Sequence, residues 1–457
     1  MNMEDTVRDD NHTDRITDLK EKVFFVAGIV FCFFVFTISL LRSGMTGITY
    51  DEAYTYVAIS SFNMFDAQFL GSLFSRAGCI ANNHWLNSFL IFAMERLTGT
   101  GYDEFVIRFP SLMAFALYLT AACLCYRKKL FSFPVLILLA GNYYMDEFYG
   151  LARGYGMANT FVFLLCISMI RWKRSGYGEM KYLNLAMLYA MLAVFSNTIV
   201  LLLYPAFGIV CLFRLVSGRK FRSFLKKSGF VFIIFTAFSS LMAVYHLNIS
   251  SEGKPLFTGV GYGFFHCFVK GYLRMFVTKE NLVMIGGVLI ICVIAAAYMI
   301  RWQGRVFSDS GALLIIFILT NILMQAVFHK GYIMERVLLP FYSFMVLAIS
   351  DVICSAAERF PKTFFRRMTG IAASVLICTA CLFLFARKIN LHMTKDWAYE
   401  YKYKTMEIGQ LITGVPFASE GGPVHVFYQD KYKYLVKDYM LLLEEENNNG
   451  MAESSAE

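Results

Sequence analysis

Asp51 and Glu52 stand side by side in TYDEAYTY, residues 49–56. A carboxylate within hydrogen-bond reach of a hydroxyl or amine can serve as its general base. Two carboxylates together can hold a hard divalent cation through oxygen ligands. The pair follows the first long apolar run, about where that run leaves a membrane. Ionisable groups at such depths are costly and tend to be functional. Tyr50, Tyr54 and Tyr56 flank the acids. A solvated loop has no need of these rings, although an aromatic belt at a membrane interface has the same make-up.

A second acid doublet, Asp146–Glu147, lies in YYMDEFYGLARGY, residues 143–155, where the plain alternative is a polar cap on a span. His84 follows Asn82 and Asn83; by itself a loop histidine reads as solvated. Arg153 and Arg336 open apolar runs. Such arginines either snorkel to an interface or grip a phosphate with the bidentate guanidinium fork. The second role is favoured where the sequence otherwise avoids positive charge. No phosphate-binding P-loop, GxSxG elbow or HExxH zinc pattern occurs. The GYG triplets at 154–156 and 261–263 lack the TVGYG context of a potassium filter, which argues against a channel.

The elements that must carry these groups are membrane helices. The 457 residues are 58% hydrophobic and only 16% charged, against about 25% charged in soluble proteins, and the mean hydropathy is +0.54. The net charge of +9 does not point to nucleic acid, because Lys and Arg fall in short clusters between apolar runs. That is the positive-inside pattern. Apolar runs predict about eleven spans, near 23–41, 105–125, 131–145, 155–170, 181–197, 198–214, 229–247, 281–300, 311–328, 335–353 and 369–386. The predicted fold is an all-α polytopic membrane protein, N-inside and C-outside, with a small α/β-like C-terminal extramembrane segment. Its parts are a polar, disordered cytoplasmic N-terminus at 1–22, a transmembrane domain at 23–386, an outer-face C-terminal domain at 387–443 and a disordered tail at 444–457. The outer loops are 42–104 and 248–280. Within the first, 85–97 is too short to span and is predicted to lie at the interface. In the C-terminal domain an amphipathic helix near 397–412 and a strand at 424–428 are expected. Most of the eleven cysteines lie in apolar runs and read as small hydrophobes. On this layout Asp51, Glu52, His84, Asp146, Glu147, Arg153 and Arg336 all reach the outer face.

With these residues in place, the chain resembles the C-type (GT-C) membrane glycosyltransferases. It is most similar to the group of dolichyl-phosphate-mannose protein mannosyltransferases and aminoarabinose transferases, with their uncharacterised bacterial members. TYDEAYTY resembles that group's acidic motif in the first outer loop. ANNHWLNSFL (81–90) resembles NHPPLYYLL, without the prolines. VIRFPSLMAFAL (106–117) resembles RLPSALxGLL, and LARGYGMANTF (151–161) resembles EARxYALLLF. SNTIVLLLYPAFGIV (196–210) resembles TKYTALLLLPALLL, and ERVLLPFYSFMVL (335–347) resembles ERYLLPLLPALLL. The matches occur in family order over most of the membrane domain. The family glutamate before the Ala-Arg pair is Leu151 here.

The resemblance implies an inverting transferase, sited in a bacterial cytoplasmic membrane. It takes a sugar from a polyprenyl-phosphate-linked donor to a glycan, lipid or protein acceptor on the outer face. Asp51 would activate the acceptor with Glu52 in support. Asp146 or Glu147 would be a second acid. His84, Arg153 and Arg336 would bind the donor phosphate. The cofactor is none, or a divalent cation such as Mg or Mn held by Asp51, Asp146 and Glu147. The alternatives are a lipid-glycan flippase or other transporter, and a catalytically inactive scaffold of the same architecture.

Overall fold

The protein is described by a computed structural model. It covers residues 3–45, Glu52, Thr55, 84–99, 103–251, 258–259, 266–267, Gly271, 309–328, 332–333, 335–357, Val375, 378–387, Ile389 and Leu391. Asp51, the expected span at 281–300 and the expected C-terminal elements at 397–412 and 424–428 lie outside the described residues.

The described chain is almost entirely helical. Five helices are long and apolar enough to cross a membrane: Glu21–Met45, Phe105–Arg127, Gly154–Arg174, Thr198–Ser217 and Phe221–His246. The first belongs to α1 (Met3–Met45). This helix runs through the polar stretch expected to be disordered, since neither Gly nor Pro occurs between Met3 and Ala27 to stop it. The segment 85–97 forms α2 (Trp85–Thr98), ended by Gly99 at φ 62°, a left-handed position that glycine takes without strain. Its buried residues include Trp85, Asn87 and Ser88, so it packs into the bundle along one face.

After α3 (Glu104–Arg127) the expected single run at 131–145 is two short helices, α4 (Phe133–Ala140) and α5 (Tyr143–Tyr149). The break falls at Gly141–Asn142. The Asn142 side chain caps α5 by accepting from the Met145 amide at 3.0 Å, so a new helix starts where the old one would have frayed. Next come α6 (Gly154–Arg174) and α7 (Met180–Ser196). A 3₁₀ turn (Thr198–Leu203) then leads into α8 (Tyr204–Ser217), and α9 (Phe221–Ser251) follows. The last well-described pieces are α10 (Asp309–Phe328), a 3₁₀ turn (Glu335–Phe341) holding Pro340, and α11 (Tyr342–Ala357).

Buried polar groups set the register of the bundle. Asn159 on α6 accepts from the Ser343 amide at 2.9 Å and donates to the Tyr149 hydroxyl at 3.2 Å. The Ser343 hydroxyl donates to the Asn159 carbonyl at 3.3 Å. Tyr149 in turn meets the Thr160 hydroxyl at 2.9 Å, and its ring stacks on Phe115 with centroids 4.2 Å apart. Further along, Cys166, Met169, Ile170 and Lys173 of α6 line one small cavity with Phe344, Leu347 and Ala348 of α11. Residue numbers rise together on the two helices, so α6 and α11 run parallel.

The ends of the bundle differ in chemistry. At the far end of α6, Asp309 accepts from Arg214 and from the Tyr177 hydroxyl, tying the start of α10 to the end of α8 and to the α6–α7 turn. Burial, and then the Asp309 carboxylate, hold the Tyr177 phenol above its usual range. The other end carries the residues singled out in the sequence.

Candidate functional site

The site is built around the turn between α5 and α6, residues 150–155. Glu52 reaches it from the segment that follows α1. Its Oε1 accepts from the Ala152 amide at 2.6 Å and from Arg108 Nε at 2.9 Å, and its Oε2 accepts from Arg108 Nη2 at 2.8 Å. Arg108 Nη1 donates to the Ser43 carbonyl at 2.8 Å. Both side chains are wholly buried. This is a bidentate, charge-assisted pair in which each ion satisfies the other. The turn is clamped from its other side too. Asn87 Nδ2 donates to the Ala152 carbonyl at 3.0 Å, and the Ser111 hydroxyl donates to the Arg153 carbonyl at 3.4 Å.

The second doublet is buried rather than a polar cap: Asp146 is 1% exposed and Glu147 0%. Asp146 Oδ2 accepts from Arg42 Nη1 at 2.8 Å, and the Ser39 hydroxyl donates to the Asp146 carbonyl at 2.8 Å. The end of α1 is thereby tied to α5. In both doublets one acid is matched to a buried arginine from the end of another helix, Glu52 to Arg108 and Asp146 to Arg42.

Arg153 stands at the N-cap of α6 and is buried. Its guanidinium carbon lies 5.6 Å from the centre of the Tyr155 ring. The His84 imidazole meets the same ring edge-on at 4.9 Å, and Phe148, next to Glu147, meets it at 5.3 Å. His84 and Arg153 thus share one aromatic partner. Gly154 makes this approach possible, because a Cβ there would fall 2.2 Å from the Ser196 carbonyl oxygen and 2.7 Å from the His84 Cβ. The sequence gives the site a glycine where three segments converge, and only a bare backbone fits.

Arg336 is buried at the start of the 3₁₀ turn before α11. Arg153 precedes Asn159, Arg336 precedes Ser343, and the two helices are parallel. Walking back from the Asn159–Ser343 bond therefore brings both arginines to one end of the bundle. Two further contacts gather there. Thr258–Gly259, in the segment after α9, pairs antiparallel with Tyr332–Ile333, just before Arg336. Trp85 at the start of α2 meets Tyr245 near the end of α9 with centroids 5.5 Å apart.

Of the expected site residues, Glu52, His84, Asp146, Glu147 and Arg153 are brought together around the 150–155 turn. Arg336 lies at the same end, and Asp51 lies outside the described residues. Among the described residues no three His, Cys, Asp or Glu side chains come together to hold a metal ion. Asp146 faces the Arg42 guanidinium, which is the wrong sign of neighbour for a cation ligand. Reading the sequence alone passed over Arg42, Arg108, Asn87 and Ser111. The signal was present for the arginines. Arg42 and Arg108 sit at the ends of apolar runs, as Arg153 and Arg336 do, where a charge marks a candidate for function. Asn87 and Ser111 carried no such signal. No family model matches the chain, and no curated protein matches its sequence.

Proposed function

We propose that the protein is a membrane glycosyltransferase that moves a sugar from a polyprenyl-phosphate-linked donor to an acceptor on the outer face of a bacterial cytoplasmic membrane, with inversion at the anomeric carbon. The proposal includes about eleven spans, N-inside and C-outside. One observation carries most of the support: two buried arginines lie toward one end of the bundle, Arg153 at the N-cap of α6 and Arg336 in the 3₁₀ turn before α11, and Glu52, the residue after Asp51, is hydrogen-bonded to the residue before Arg153. Displacement of a lipid phosphate requires a base for the acceptor and cations for the phosphate, roles that these residue types supply.

In this reading Asp51 takes the proton of the acceptor's hydroxyl or amine as that atom bonds to the anomeric carbon. The bond from the anomeric carbon to the phosphate oxygen breaks, and the oxygen leaves with the electron pair. Arg153 and Arg336, with His84 beside Arg153, stabilise the charge that collects on the phosphate. Asp146 and Glu52 are held by arginines and act on the framework. No step is assigned to a metal.

The test is transfer of radiolabelled sugar from a polyprenyl-phosphate donor by the purified protein in lipid. Asp51→Asn is expected to lower transfer by about 10²–10⁴-fold while donor binding survives. Arg336→Ala is expected to weaken donor binding. Glu179→Gln, in the exposed α6–α7 turn, is the control with little change. If Asp51→Asn turns over at the normal rate while Glu147→Gln is inactive, the base belongs to the second doublet. Vectorial movement of labelled lipid without transfer would identify a flippase instead.

A further inference from the structure

The backbone of residues 151–153 is held mainly by side chains from elsewhere in the chain. Buried peptide groups must find partners, and the Arg153 amide finds one within the turn, the Leu151 carbonyl at 2.8 Å. Three more groups, the Ala152 amide and the Ala152 and Arg153 carbonyls, are met by side chains from three separate parts of the chain. Glu52 takes the Ala152 amide, Asn87 of α2 supplies the Ala152 carbonyl, and Ser111 of α3 supplies the Arg153 carbonyl. All three side chains are at most 2% exposed. The Ser111 hydroxyl also lies 3.5 Å from Asn87 Oδ1, and its one proton is shared between that oxygen and the Arg153 carbonyl. Glu52 is fixed by Arg108, which also grips the end of α1 through the Ser43 carbonyl. Three segments of chain therefore converge on three consecutive peptide units, and the residue those units present is Arg153.

We infer that Glu52, Asn87, Arg108 and Ser111 are positioning residues that fix the backbone from which the Arg153 side chain leaves, and so set where its guanidinium meets the donor phosphate. The inference rests on the reading of Arg153 as a phosphate ligand. It changes the role of Glu52. Its carboxylate is engaged on both oxygens, so it joins rather than reacts. Because Glu52 is the next residue after Asp51, one side chain links the segment bearing the acceptor-side base to the turn bearing the donor-side cation. Errors of about 1 Å in such placements cost roughly 10²-fold in rate, which gives a reason for so many clamps on so short a turn.

The experiment uses the full-length protein in lipid nanodiscs and two probes, undecaprenyl monophosphate and undecaprenol. The ratio of their affinities isolates the contribution of the phosphate. Asn87→Ala and Ser111→Ala each remove one clamp without stranding a buried charge. Each is expected to lower the phosphate preference, Asn87→Ala by roughly tenfold, with undecaprenol binding near that of the wild type and a thermal transition that is lower, because a buried carbonyl loses its donor, but still cooperative. Arg153→Ala is expected to remove most of the preference. The deciding measurement is the double variant Asn87→Ala/Arg153→Ala, which is expected to be no worse than Arg153→Ala alone, because a positioning residue has nothing left to position. The inference is overturned if folded Asn87→Ala and Ser111→Ala keep the full preference, or if Asn87→Ala lowers the residual preference of Arg153→Ala by the same factor as in the wild type. Should Asn87→Ala fail to fold, Ser111→Ala carries the same cycle. A wild-type protein that binds the two lipids equally overturns the donor reading itself, a result distinct from either failure of the clamp.

Discussion

The arginine–carboxylate pairs decide what single substitutions do near the site. Breaking a buried ion pair leaves the surviving charge without compensation, at a cost of about 3–5 kcal/mol, whereas replacing both partners with apolar residues is far milder. Arg108→Met is therefore expected to lower the unfolding temperature in detergent sharply. Arg108→Met/Glu52→Leu should recover much of that loss, while the Ala152 amide still lacks its acceptor. The same logic separates Asp146 from Asp51. Asp146 is bonded to Arg42, so Asp146→Asn is expected to reduce the yield of folded protein more than the transfer rate per folded molecule. Asp51→Asn should do the opposite. Thermal unfolding and specific transfer, measured on the same preparations, distinguish the two acids.

Among the elements, the short helices and turns carry the geometry. α6 begins at Gly154, which touches both the end of α7 and His84. A methyl group there meets a backbone oxygen that cannot rotate away. Gly154→Ala is expected to cost at least about 1–3 kcal/mol and to disturb donor binding, because Arg153 moves with the helix start. α5 is too short to stand alone and depends on its cap. Asn142→Ala should cost about 0.5–2 kcal/mol, read as a lower thermal transition with little effect on α4. Reading the apolar runs recovered the five long apolar helices found among the described residues, but it merged α4 and α5 into one run. The Gly141–Asn142 pair contained the break, since glycine after a helix and asparagine before one are the usual stop and start.

At the scale of the whole molecule, the polar end around residues 150–155 and the basic far end around Arg171, Lys173, Arg174 and Arg214 should face opposite sides of the membrane. Cysteines placed at positions 64 and 260 of a cysteine-free protein are expected to react with an impermeant maleimide from outside. One at position 222, near the start of α9, should react only after the membrane is opened. Labelling of position 222 from outside would overturn the topology and, with it, the outer-face site. The paired strands Thr258–Gly259 and Tyr332–Ile333 tie the segment after α9 to the segment before Arg336, so outside labelling at position 260 is expected to put both on the outer side.

Composition and apolar period by themselves determined that this is a helical membrane protein, because about twenty consecutive apolar residues have no other stable place. They also located Asp51, Glu52, His84, Asp146, Glu147, Arg153 and Arg336 at run ends, since charge is costly inside the bilayer and collects where helices leave it. Only the tertiary structure decided how these groups are partnered. Glu52 and Arg108 are 56 residues apart, Arg42 and Asp146 are 104 apart, and nothing local in the sequence links them. The pairing of α6 with α11 through Asn159 and Ser343 spans 184 residues and is what sets Arg153 and Arg336 at one end. Such contacts are chosen by packing. A buried charge or amide takes whichever partner the folded bundle brings within hydrogen-bond reach, and that choice is made by helices whose order of assembly the local pattern does not encode.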